Sequence, residues 1–180
     1  MPTQRLLVLS DTHGHTRALE AVFKWAKDIS QSSGINAAVF LGDGVSDLSY
    51  GERTTGFSCD WKMVRGNMDF DFSLPLIDIL NFGGHRFVLS HGHRSDVYNS
   101  YDILVAAAQN NKAQAVLFGH THTPCYETVN NILFVNPGSV GKPRSEAGAT
   151  FAVIECEPDK PLEVEFWGIG SQGKIKEIEL

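Results

Sequence analysis

The chain has 180 residues, 42% of them hydrophobic and 20% charged, and its 21 acidic against 15 basic side chains give a formal charge of −6. This composition excludes a fibrous or disordered chain, and a length near the ~150 residues of a typical domain predicts a single domain spanning residues 1–180. The negative field repels polyanions, so no nucleic-acid partner is expected, and the widely spaced Cys59, Cys125 and Cys156 form neither a CxxC zinc motif nor a disulfide framework.

In chain order, the first element is the apolar run "QRLLVLSD", which stops at Asp11 in the manner of a buried strand delivering a polar residue at its carboxyl end. The run is too short for a signal-peptide core or a membrane span, which predicts a cytoplasmic protein with no membrane partner. "TRALEAVFKWAKDISQSSG" follows, with Leu19, Val22, Phe23, Ala26 and Ile29 at helical spacing and a stop at Gly34. "AAVFLGD" is a second buried strand, "GVSDLSYGERTTG" a short helix or loop, and "WKMVRGN" a third strand ending in Gly-Asn.

From Ile77 the texture becomes β-rich, with two runs flanking Gly83-Gly84 as in a hairpin. "SYDILVAAAQNNKA" is helical in pattern, and "QAVLFGHTH" is another strand that delivers polar residues. The remainder, "CYETVNNILFVNPGS", "GATFAVIECE" and "LEVEFWGI", predicts strands with an Asn-Asn turn. A mixed α/β domain with two packed sheets accommodates this count.

Five strand-like runs end in residues able to bind metal: Asp11 with His13, Asp43, Asn67, His91 with His93, and His120 with His122. Carboxyl ends of neighbouring strands in an α/β sheet open onto a common crevice, so these ends are expected to converge. Each has an ordinary alternative: Asp11 and Asp43 could cap helices, Asn67 could be a turn residue, and the histidines could be solvated loop residues. Independent caps and turns give no reason for two Asp, an Asn and several His to fall at successive strand ends. Carboxylate, carboxamide and imidazole without thiolate select manganese, iron, cobalt, nickel or zinc, and a bridging carboxylate can join two ions ~3.5–4 Å apart that act on phosphorus.

In order, "SDTHG", "LGDG", "RGNMD", "SHGH" and "GHTH" resemble the motifs of the calcineurin-like metallophosphoesterases, and more narrowly those of a small bacterial and archaeal phosphodiesterase-type subgroup. The resemblance runs from about Val8 to Ser139 and implies a four-layer αββα sandwich, two mixed β-sheets flanked by helices. It implies two divalent metal ions, manganese first among them. One would be held by Asp11, His13, Asp43 and His122; the other by Asp43 as bridge, Asn67, His91 and His120. "NPGS", Asn136 to Ser139, matches a loop near the metals. The implied activity is hydrolysis of small phosphodiesters by a metal-bridging hydroxide, with Asp43, Asn67 and Asp69 as the catalytic set and a small phosphorylated molecule as the partner.

Much of the superfamily has His after the Asn, where it protonates the leaving oxygen; here the position is Met68. A thioether transfers no proton at neutral pH, so that ~10²- to 10⁴-fold contribution must come from elsewhere or be absent. Asp69 is expected to orient a ligating imidazole by accepting its other N–H. His15 and His93 are candidate substitute acids, Arg65, Arg94 and Arg144 candidate phosphate clamps, and Phe70 and Phe72 a candidate apolar wall. Two alternatives stand beside this reading: a non-catalytic scaffold on the same fold, as in the retromer subunit branch, and a nucleotide or pyrophosphate-bond hydrolase. A homo-oligomer, by default an isologous dimer, is expected.

Overall fold

A computed structural model describes residues 3–29 and 34–180. The chain order is β1 (Gln4–Leu9), α1 (Thr16–Ile29), β2 (Ala37–Phe40), α2 (Val45–Thr55), β3 (Trp61–Met63), β4 (Ile77–Phe82), β5 (His85–Ser90), α3 (Asp102–Asn111), β6 (Ala115–Phe118), β7 (Pro124–Val129), β8 (Ile132–Pro137), β9 (Ala149–Cys156), β10 (Glu163–Ile169) and β11 (Ile175–Ile178). The helix expected after Thr16 reaches Ile29; its expected continuation over residues 30–33 lies outside the described residues.

Two mixed sheets result, ordered β11-β10-β9-β1-β2-β3 and β4-β5-β6-β8-β7. In the first, β1, β2 and β3 are parallel and the other pairings antiparallel. In the second, β5, β6 and β8 are parallel, flanked by antiparallel β4 and β7.

The period-2 alternation of buried strands sorts side chains into layers. Leu6 and Val8 of β1 join Val39, Phe87, Leu89, Leu117, Val135 and Ile154 between the sheets. Leu7 and Leu9 face the other way, onto Leu19, Val22, Phe23 and Ala26 of α1 and Leu48 of α2. On the outer face of the second sheet, Val88, Val116, Phe118 and Phe134 pack against Leu104, Val105 and Ala108 of α3. The order is therefore helices, sheet, sheet, helix, the expected αββα arrangement. Burying each such side chain contributes roughly 2 kcal/mol, and the central layer brings the carboxyl ends of both parallel strand sets to one edge.

Both predicted hairpin turns form with consecutive positive φ, 56° and 85° at Gly83-Gly84 and 51° and 61° at Asn130-Asn131. The segment read as helix or loop is α2, closed by Gly56 at φ 69°. Strand β11 was not expected: in Ile-Lys-Glu-Ile only two positions are apolar, and as an exposed edge strand it carries little of the pattern that marks a buried one.

Candidate metal centre

The loops at that common edge carry every residue proposed as a ligand. Asp11 and His13 follow β1, Asp43 follows β2, Asn67 follows β3, His91 follows β5, and His120 and His122 follow β6. The convergence expected from one sheet is achieved by two stacked sheets. Five of these residues hold left-handed backbone, Asp11 at φ 58°, His13 at 47°, Asp43 at 59°, His120 at 69° and His122 at 60°. Non-glycine residues there cost about 1–2 kcal/mol each, and such strain concentrates at functional sites.

Their ligand atoms form two groups. In the first, Asp11 Oδ1 lies 3.0 Å from His122 Nε2 and 3.5 Å from His13 Nε2, and the two Nε2 atoms are 3.2 Å apart. In the second, His91 Nε2 lies 3.2 Å from both Asn67 Oδ1 and His120 Nδ1. Asp43 Oδ2 stands between them, 3.6 Å from His13 Nε2 and 3.5 Å from His91 Nε2.

These are not ordinary hydrogen bonds. His122 Nδ1 donates to the Lys142 carbonyl at 2.6 Å and His91 Nδ1 to the Leu41 carbonyl at 2.7 Å, which turns the lone pair of each neutral ring's Nε2 inward. Lone pairs thus face carboxylate and carboxamide oxygens, and buried Asp11 Oδ1 accepts no hydrogen bond. Acceptors crowded on acceptors repel unless a cation sits among them. The oxygen and imidazole donors fit a divalent transition ion in each group. Asp11, His13 and His122, and Asp11, Asp43 and His91, each bring ligand atoms within 4.8 Å of one another.

Where no cation sits among them, the same contacts draw protons in its place. Burial would raise the Asp11 pKa, but His122 and His13 outweigh it and hold the carboxyl well below its usual range. Burial opposes a charged His91, yet the Asp43 and Asp11 carboxylates hold its pKa above the ordinary value. Burial and His91 together lower that of His120.

Asp43 owes its aim to residues that are not ligands. Its Oδ1 accepts the Met68 backbone N–H at 2.7 Å, leaving Oδ2 to face both groups. The Asp69 carboxylate accepts four backbone N–H groups, from Asp43 and Gly66 on Oδ2 at 2.8 Å each and from Gly44 and Val45 on Oδ1 at 2.8 and 2.9 Å. It pins the β2 and β3 loops together and caps α2 from a distant segment. This corrects the expectation that Asp69 orients an imidazole: the N–H groups it meets are backbone, and the carbonyls of Leu41 and Lys142 orient His91 and His122 instead. The cap readings of Asp11 and Asp43 also fail, because their oxygens serve Ser10, His120 and Met68. Gly66 permits the approach, since a Cβ there would fall 2.1 Å from Asp43 Oδ1.

"NPGS" braces the same edge. Buried Asn136 donates to the Gly119 carbonyl and Thr121 Oγ1, both at 3.0 Å, and Ser139 donates to the Asp11 carbonyl at 2.8 Å. Of the weaker candidates, His15 lies away from the cleft, in a cavity beside α1 with Arg17 and Trp25. His93, Arg65, Arg94 and Phe72 line one side of the cleft, and Arg144 lines its floor with Met68 and Lys142. Met68, Phe70 and Phe72 are 57%, 85% and 77% exposed. Sequence reasoning missed Ser10, Leu41 and Lys142, the last two acting through carbonyls that no side chain announces.

The calcineurin-like phosphoesterase superfamily domain matches residues 5–159. A probable metallophosphoesterase of Mycoplasma pneumoniae is 32% identical over 144 residues, 78% of this chain and 82% of the relative. The phosphodiesterase YfcE of Escherichia coli strain K12 is 28% identical over 84% of this chain and 87% of its own length. Among solved structures, a Streptococcus pneumoniae TIGR4 protein described as a predicted phosphoesterase superposes with a TM-score of 0.76 at 28% identity, covering 99% of this chain and 98% of that one. Vps29 of Entamoeba histolytica reaches the same TM-score at 20% identity, over 98% of this chain and 99% of its own, a likeness of fold alone. With its motifs, its layers and its strand-end loops all in agreement, the chain belongs to the calcineurin-like phosphoesterase superfamily.

Proposed function

We propose that this chain, as one domain over residues 1–180, is a dinuclear metal-dependent phosphoesterase that hydrolyses small phosphodiesters. The observation that carries the reading is the pair of facing ligand groups with Asp43 Oδ2 between them. Asp11, His13, Asp43 and His122 would hold one ion, and Asp43, Asn67, His91 and His120 the other, manganese being the ion of choice. When bound, such a pair supplies an activated water and neutralises charge developing on the phosphoryl oxygens.

The chain's own residues do the rest. Met68 N–H and the Asp69 clamp fix the Asp43 carboxylate, which would be shared between the two ions, and Leu41 and Lys142 carbonyls orient the rings of His91 and His122. Cationic Lys142 and Arg144 line the cleft floor, where an anionic phosphoryl group would be held. Exposed Met68 also lines it and offers no proton, so an ester oxygen that leaves well unprotonated is favoured. Diester over monoester is supported by the likeness to YfcE, named a phosphodiesterase.

The test is turnover of bis- and mono-p-nitrophenyl phosphate with manganese, alongside metal analysis of the purified protein. Two ions per chain and metal-dependent cleavage of the diester are expected. Fewer than one tightly held ion, with no turnover on adding metal, would replace the proposal with the scaffold reading that the fold's occurrence in Vps29 keeps open.

A further inference from the structure

The cleft over the ligand groups extends in two directions, separated by the loop from Asn67 to Phe72. One lobe, about 560 Å³, meets the first group at His13 and is bordered by Val45, Met68 and the carboxylates of Asp47 and Asp71, with Lys142 at its edge. The other, about 480 Å³, meets the second group at Asn67 and His120 and is lined by Arg65, Arg94, His93 and Phe72. Phe70 and Asp69 border both.

Their charges are opposite in kind. In the first lobe Asp71 is held ionised by the hydroxyl and backbone N–H of Ser73, so a further anionic group is disfavoured there. In the second lobe the one carboxylate, Asp69, is already spent on four backbone N–H groups. The two guanidinium groups keep their capacity: among the described residues neither the Arg65 nor the Arg94 guanidinium makes a hydrogen bond or ion pair within 4 Å, Arg65 is tied only through its backbone N–H to the Pro75 carbonyl, and its guanidinium rests 4.6 Å from the centre of the Phe72 ring. Arginine is weakly hydrated and its planar fork matches phosphate oxygens, so half-buried Arg65 and exposed Arg94, with no hydrogen bond on either fork and an apolar ring beside them, offer the chemistry of a receptor for a second phosphate. In a chain of net charge −6, this pair of cations beside the reacting centre, of which Arg65 is balanced only in part by the nearby Asp71 carboxylate, opposes the overall field locally.

We propose that the lobe beside Asn67 and His120 is a second anion subsite, and that the substrate is a phosphodiester with one arm bearing a further phosphate and the other arm neutral. The phosphate-bearing arm lies along Arg65 and Arg94, and the neutral arm lies on Met68 and Phe70 in the other lobe. This assignment rests on the phosphoesterase reading. In the reaction water adds to phosphorus, the P–O bond to the neutral arm breaks, and that arm departs as its alcohol or phenolate while the phosphate-bearing arm keeps the new phosphomonoester.

The test compares thymidine 5′-(p-nitrophenyl phosphate) with its 3′-phosphorylated form, with manganese, following p-nitrophenolate release. The 3′-phosphate is expected to raise kcat/KM by about tenfold or more, the return on one charge-assisted fork contact. The double variant Arg65→Ala/Arg94→Ala should bring the ratio of the two kcat/KM values close to unity, and Arg65→Lys/Arg94→Lys, which keeps the charge but loses the fork, should leave an intermediate ratio. Equal kcat/KM values in the unsubstituted protein, or a ratio unmoved by the alanine pair, would overturn the subsite. Absence of turnover of either compound would instead remove the phosphoesterase reading, and the subsite with it.

Discussion

At the far end of the second sheet, Asn130 and Asn131 turn β7 into β8 with φ of 51° and 61°; at the ligand-bearing end Asp11, His13, Asp43, His120 and His122 hold φ between 47° and 69°. The backbone conformation is the same, and the reasons differ. The asparagines need only each other and a two-residue hairpin, whose twist demands two positive φ values. The site residues are held by partners far away in sequence: Asp11 N–H to the Gly42 carbonyl and His13 N–H to the Asp43 carbonyl, both at 3.0 Å, and His120 N–H to Asp11 Oδ2 at 3.1 Å. A turn is a local product, whereas this centre exists only once both sheets have stacked. The strain of the five left-handed residues is carried by the central apolar layer and by Asp69, not by their own sequence neighbours.

The sharpest break of that comparison comes from Asp43→Asn. The carboxamide keeps an oxygen for the Met68 N–H, so the loop is expected to fold as before, but the anionic bridge between the two groups is gone. Turnover of bis-p-nitrophenyl phosphate at saturating manganese should fall by about 10³-fold or more. A kcat within tenfold of the unsubstituted protein would show that Asp43 is not the bridge.

The contrast also accounts for what could be read in advance. β1 and β2 are continuous apolar runs, and both hairpins carry Gly-Gly or Asn-Asn, so local chemistry announces them. That the residues proposed as ligands would converge was legible because each follows a strand, and strand ends have a place in the fold before any distance is known. Asp69 was visible as a residue and misread in its role. Its partners are backbone N–H groups, three at the end of the β2 loop and the start of α2 and one, Gly66, in its own loop, and no side-chain pattern marks them. The carbonyls of Leu41 and Lys142 escaped for the same reason, and β11 escaped because an exposed edge strand has little apolar pattern to show.

Asp69→Asn asks whether the clamp or the strand ends themselves hold Asp43 in place. The amide oxygen can replace one carboxylate oxygen, but its NH2 then faces two backbone N–H groups, and both lose their acceptor. Stability without metal should fall by about 2 kcal/mol, read by urea denaturation. Manganese affinity should weaken by about 10- to 100-fold, the range seen when a group supporting a ligand is removed, as measured by titration calorimetry. Lost stability with unchanged metal affinity would reduce Asp69 to a remote cap of α2.

The smallest effect belongs to the far end. In Asn131→Ala a residue with a Cβ and no compensating carboxamide must still hold φ near 61°, at a cost of about 1 kcal/mol in stability. Asn131→Gly, free of that penalty, should be neutral to within a few tenths of a kcal/mol. The paths from the turn to the ligand groups run the full length of β7, back to His122, or of β8, so manganese affinity and diester turnover should match the unsubstituted protein in both. A metal affinity that tracked the hairpin would mean that the register of β8, which carries Asn136 and Ser139 to the edge of the site, is set by the turn rather than by the packed layers. In that case the boundary between local and long-range control would have to be redrawn along that strand.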